Sequence, residues 1–175
     1  MGHSSTPTGP AALRILSLPA QNTQTLRSLR PVAGGTAATL LAIAGLHASW
    51  VTGSTWPYAD GATLSRHVLG IPETPGMPSA AATVAVTAAL AVTGAAAVAR
   101  TSKSPRLRGA ARLLTMPAAA VLAVRGLGGF AQSLLAPDAA TAEFTRNDLR
   151  IYSPLCLALA AGLAVLEKPT KQENR

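Results

Sequence analysis

Apolar residues in this chain run together in long blocks, and charged residues bound those blocks instead of breaking them up. Between Arg30 and Asp60 there are 29 residues without a formal charge, and their apolar part, residues 32–52, predicts a first membrane-length helix. Between Glu73 and Arg100 lie 26 uncharged residues, with a second span at 79–99. Pro78 directly precedes it, where a missing backbone N–H costs little. The third block, 113–135, is interrupted once, by Arg125. The fourth, 151–166, has only 16 residues. At 1.5 Å per residue it covers about 24 Å, short of a hydrocarbon core of about 30 Å. It spans if Arg150 and Lys168 reach to the two interfaces, with Asp148 as its cap and Pro154 as an early kink.

Each block must be helical, because an unpaired backbone polar group in lipid costs several kcal/mol. Long apolar runs without alternation exclude a membrane β-barrel. Residues 1–30 are rich in Ser, Thr, Pro and Gln and predict a disordered cytoplasmic tail; 168–175 form a second, short tail. The expected fold is therefore all-α: a four-helix transmembrane bundle over 31–167 with a disordered N-terminal tail. Ala and Gly dominate the spans, and small residues allow close helix approach. Gly126 to Gly129, Gly45 and Gly94 are the expected contact points.

Composition adds an exclusion. Apolar residues make up 49% of the chain and charged ones 13%, about half the globular share, which excludes a soluble domain. The net charge of +8 would suit a nucleic-acid binder, but the basic residues flank apolar spans, as they do in membrane proteins. No nucleic-acid partner is expected. The N-tail, the turn between spans two and three and the C-tail together hold eleven Lys and Arg, against three on the opposite side. That asymmetry predicts cytoplasmic termini in a multi-pass protein of the cell membrane. Trp50, Trp56, Tyr58 and Tyr152 then fall near the outer interface. A single cysteine, Cys156, allows no internal disulfide.

Depth along the helices sharpens the picture. Arg125 lies thirteen residues beyond Arg112, about 20 Å up the third span. His47 lies at about 24 Å in the first. His47, Trp50, Arg125, Gln132, Asp148, Arg150 and Tyr152 thus all belong to the outer half of the bilayer. Arg125, Gly129 and Gln132 share a face, and so do His47 and Trp50. An Arg inside a span costs about 2.5–3.5 kcal/mol, so Arg125 must face the bundle and find a partner. Asp148 is the best-placed acid, with Glu143 and Asp60 as alternatives. An ion pair alone accounts for such a residue; an anion or head-group site built on Arg125 and His47 is the functional alternative. No ligand spacing surrounds His47 or His67, so neither metal nor cofactor is expected. No nucleotide-binding, metalloprotease or nucleophile motif is present, and no catalytic residue is assigned.

Leu46-His47-Ala48-Ser49-Trp50, then Gly53, Trp56, Arg125-Gly126, Phe144, Asp148 and above all Arg150-Ile151-Tyr152-Ser153-Pro154-Leu155-Cys156 resemble the domain of unknown function 3995 family. These are small four-span bacterial membrane proteins. The resemblance covers about residues 35–166 and implies four spans; it lends no activity, since the family has none assigned. The stretch before Glu143 departs from the family pattern, being rich in Ala and Pro where that pattern is aromatic and basic. Two functions fit: a non-enzymatic accessory protein binding an anionic lipid or small amphiphile, alone, as a homo-oligomer or beside a membrane protein; and a membrane enzyme or transporter subunit using His47 and Arg125.

Overall fold

The computed structural model describes residues 10–71 and 76–167, with side chains from residue 26 onward. Six α-helices follow in order: α1 (Pro10–Val51), α2 (Gly61–Leu69), α3 (Ala80–Ala99), α4 (Pro105–Leu135), α5 (Ala142–Asn147) and α6 (Ser153–Leu166). A 3₁₀ turn, Pro137–Ala139, precedes α5, and a π turn, Asp148–Tyr152, joins α5 to α6. No strand occurs among the described residues.

Four helical stretches are long and apolar enough to cross a membrane: Leu26–Val51, Ala80–Ala99, Pro105–Leu135 and Ala142–Leu166. The chain is thus an all-α, four-span, multi-pass membrane protein. Each span packs on the next, and the last closes on the first. Ala33, Ala37 and Leu40 of α1 meet Ala97 of α3 and Leu159, Leu163 and Leu166 of α6 in the core. Gly162 of α6 rests against the Thr36 hydroxyl, and Gly126 of α4 against Leu157, so small residues do let the backbones approach. Gly94 meets Leu41, whereas Gly45 and Gly128, two of the expected contact points, face open space. Thr83, Thr87 and Thr93 return their hydroxyls to the carbonyl four residues back, which satisfies them without water. The opposite face of α4 exposes Leu113, Val121, Val124, Leu127 and Leu135, a lipid-facing stripe.

α1 runs without a break from Pro10 through Pro31 into the first span, and residues 1–9 and the tail at 168–175 lie outside the described residues. Two expectations need correction. The third span begins at Pro105, eight residues before the apolar block, because charged side chains do not end a helix. The fourth is not a short 151–166 segment capped by Asp148. Thr141 caps it, accepting from the Phe144 N–H, and α5, the π turn and α6 form one 25-residue stretch of about 37 Å.

The segment between spans one and two holds the unforeseen helix α2. Asp60 caps it, accepting from the Thr63 N–H at 2.7 Å, and Gly70 ends it at φ 72, a left-handed conformation that suits glycine. Leu64 and Ser65 are buried, and Ser65 Oγ donates to the Gly76 carbonyl at 2.7 Å. The hydrogen bond from the Thr63 backbone holds the Asp60 carboxyl below its ordinary value of 3.8. A lowered value means that the ionised form stabilises the helix, so the cap persists at neutral pH and is lost as pH falls through the folded value. Asp60→Ala is expected to speed amide exchange across 61–69 at pH 7 while leaving the spans protected. Unchanged exchange in α2 would refute the capping role.

Candidate functional site

Pro154 lies at the start of the site's chemistry. It has no N–H to give to the carbonyl four residues back, and its ring crowds that carbonyl. The chain widens by one residue there: the Ser153 N–H bonds to the Asp148 carbonyl, five residues back. The wider turn keeps Asp148 and Ser153 on one side of the helix, facing α4. Asp148 is fully buried. Its Oδ1 accepts from Arg125 Nη2 at 2.7 Å. Its Oδ2 accepts from Ser133 Oγ at 3.1 Å and Ser153 Oγ at 2.8 Å. Both oxygens are thereby met, which is what a carboxylate needs where water is absent.

Gly129 makes this possible. A Cβ there would collide with Arg125 Nη1 and Ser153 Oγ, and would come within 2.7 Å of Asp148 Oδ2. The bare α4 backbone forms the floor of the charge cluster. Arg125 lies at its edge, with 40% of its side chain exposed. The guanidinium carbon sits 6.0 Å from the centre of the Phe144 ring, and Phe144 lies 6.1 Å from Tyr152. Tyr152 Oη donates to the His67 carbonyl at 3.2 Å, and Asn147 Nδ2 approaches it at 3.5 Å. Thr141 adds bonds to α2 through the Arg66 and Gly70 carbonyls, at 2.7 and 3.1 Å. Gly70 packs directly on Phe144. Helix α2 is therefore docked over the same aromatic ring that lies beside Arg125.

The seven residues expected to cluster divide into three sets. Arg125, Asp148 and Tyr152 come together, joined through Phe144. His47 and Trp50 form a separate pair with ring centres 4.7 Å apart. His47 Nδ1 meets the Ile43 carbonyl at 2.9 Å, and Trp50 Nε1 donates to the Trp56 carbonyl at 2.8 Å. No hydrogen bond, ion pair or ring contact links that pair to Arg125 among the described residues. Gln132 and Arg150 are exposed. Ser133, one residue further along α4, is the side chain that reaches Asp148. Asp60 is occupied with capping α2, and Glu143 is exposed. No three His, Cys, Asp or Glu side chains gather as a metal site among the described residues.

A second charge cluster, absent from the sequence expectations, sits at the opposite end. Glu167 is only 14% exposed, with Arg100 Nε 3.3 Å from Oε1 and Arg112 Nε 3.3 Å from Oε2; Thr115 donates to Oε1. Arg100, 5% exposed, also gives Nη1 to the Arg108 carbonyl at 2.8 Å and Nη2 to the Leu166 carbonyl at 2.9 Å. Arg108 turns to the Ser102 and Lys103 carbonyls at 3.0 and 3.2 Å. One carboxylate thus ties together α3, α4 and the end of α6. The signal was an acid directly after an apolar block, facing five bases across one turn.

These features define a polytopic membrane protein whose spans are locked by buried charge at both ends. Residues 40–163 match the family described as Protein of unknown function (DUF3995), and the chain belongs to that family. No curated protein and no solved structure matches the chain.

Removing one member of a buried ion pair costs about 3–5 kcal/mol, since the other charge is left behind. Asp148→Asn and Gly129→Val are both expected to lower the melting temperature in detergent clearly. Ser133→Ala should cost only about 1 kcal/mol, because Ser153 still serves Oδ2. Melts indistinguishable from wild type for Asp148→Asn would contradict the assigned role.

Proposed function

We propose that the chain is a non-enzymatic accessory protein of a bacterial cell membrane that holds the anionic head group of a lipid or small amphiphile at Arg125. The carrying observation is a mismatch in satisfaction. Asp148 has both oxygens met, whereas Arg125, with five N–H donors, gives one hydrogen bond among the described residues. An exposed guanidinium within a membrane span must find an acceptor for the rest. Phosphate or carboxylate oxygens match that fork, and Asp148 fixes its position. The Phe144 ring, 6.0 Å from the guanidinium carbon, flanks the place a head group would take. A catalytic or transport role built on His47 with Arg125 finds no support in the contacts of either side chain.

The charge distribution supports cytoplasmic termini. Arg27, Arg30, Lys103 and Arg106 are exposed at the end that holds Glu167. The other end mixes exposed Asp60, Asp138 and Glu143 with Arg66, Arg146 and Arg150. On this reading Arg125 serves the outer leaflet. In a Cys156→Ala background, an impermeant thiol reagent on intact cells is expected to label Asp138→Cys and spare Lys103→Cys; the reverse pattern would invert the protein.

Binding is tested by native mass spectrometry from mild detergent, with phosphatidylglycerol and phosphatidylcholine added in equal amounts. Wild type is expected to retain phosphatidylglycerol. Arg125→Lys keeps a cation against Asp148 but loses the fork, so retention should fall while the melt changes less than in Arg125→Gln. Equal retention of the anionic lipid by wild type and both folded variants would refute the site.

A further inference from the structure

At the Glu167 end the protein presents a surface of cations that the acids among the described residues leave unneutralised. Glu167 is the one described carboxylate there, and, only 14% exposed, it is already paired with Arg100 and Arg112 and accepts from Thr115. Arg108 spends its guanidinium on the Ser102 and Lys103 carbonyls, which fixes the turn between α3 and α4. Held on that turn, Lys103 and Arg106 are exposed, and neither side chain has a protein partner among the described residues. Arg27 and Arg30 are exposed on α1 at the same end, since Ala33 packs in one cluster with Ala97 and Leu166. Arg112 remains 41% exposed beside its bond to Glu167.

The apolar residues next to these cations decide what they meet. Leu107, between Arg106 and Arg108, is 49% exposed, and Leu113 one to two turns on is 77% exposed. Along α4, exposed cations therefore pass directly into the lipid-facing stripe. A nucleic acid or an acidic soluble protein would have no use for exposed leucines at that level. A bilayer offers both: phosphates at the height of the charges and acyl chains at the height of the leucines.

We propose that the α3–α4 turn, with Lys103 and Arg106 at its centre, is an anionic-lipid docking surface that gathers phosphatidylglycerol-type head groups in the leaflet at the Glu167 end. This surface is independent of Arg125, which lies toward the other end of α4. Each cation near a charged leaflet is worth about 1 kcal/mol, about five-fold in lipid preference.

The test uses the full chain reconstituted in phosphatidylcholine vesicles with spin-labelled phosphatidylglycerol or phosphatidylcholine. The fraction of motionally restricted label is read for each. Wild type is expected to restrict phosphatidylglycerol preferentially at low salt. The preference should fall about five-fold or more in Lys103→Gln/Arg106→Gln, and also in 1 M salt, where screening shortens to about 3 Å. Both residues are exposed, so the variant should fold, and an unchanged melt confirms it. Arg125→Lys should keep this preference. Equal restriction of the two lipids by wild type overturns the proposal. So does a preference that survives the double variant but disappears in Arg125→Lys, which would assign all selectivity to the other site.

Discussion

A carboxylate without water dictates much of this structure. Asp148 is buried in a span, so each of its oxygens must be met by protein. The solution draws on three places in the chain: Arg125 and Ser133 from α4, and Ser153 from the start of α6. Gly129 is bare because that geometry leaves no room for a side chain. The π turn before Pro154 keeps Asp148 and Ser153 on the same side. Even Phe144, at the outer edge of the cluster, fills the gap between Arg125 and the segment that crosses above it. Remove the acid, and the glycine, the two serines and the turn lose their common reason.

The four spans could be read from sequence because lipid permits few alternatives. Charge-free blocks of that length have one stable form in a bilayer, and the run lengths alone give the number of spans. The pairing of Arg125 with Asp148 could be read for a similar reason: a lone cation in an apolar block needs an acid, and few were near. Azimuth was harder to read than depth. Rise per residue gives height along a helix but not which neighbour a side chain faces. His47 shares the height of Arg125, yet it turns to Ile43 and Trp50. Gln132 and Arg125 do share a face, but it is the rim of the buried stripe formed by Thr115, Gly126, Gly129 and Ser133. At about 100° per residue, Ser133 falls inside that stripe and Gln132 beyond its rim.

What escaped the sequence reading did so because one feature carried two meanings. The bases around Arg100 carry the charge asymmetry from which a topology is expected, and Arg100 and Arg112 also pair with Glu167. The stretch from 53 to 78 is rich in Pro and Gly and has the composition of a loop. It contains α2, whose ends are marked by Asp60 and Gly70, the residue types that start and stop a helix. The fourth span looked too short because its charged first turns were counted as outside, although Asp148 is carried in with its partners.

The two carboxylates together set a length. Asp148 and Glu167 stand nineteen residues apart on the fourth span, and their α4 partners Ser133 and Thr115 stand eighteen apart on the antiparallel helix. Both separations come to about 27–29 Å, close to the depth of a hydrocarbon layer. The third and fourth spans are thus riveted to each other at two points about one bilayer apart. Neither can slide or tilt against the other to suit a thinner or thicker membrane. The pair must lean as a single plank, or the lipid beside it must stretch or compress to match. The protein carries a fixed gauge of membrane thickness, written in the spacing of two acids.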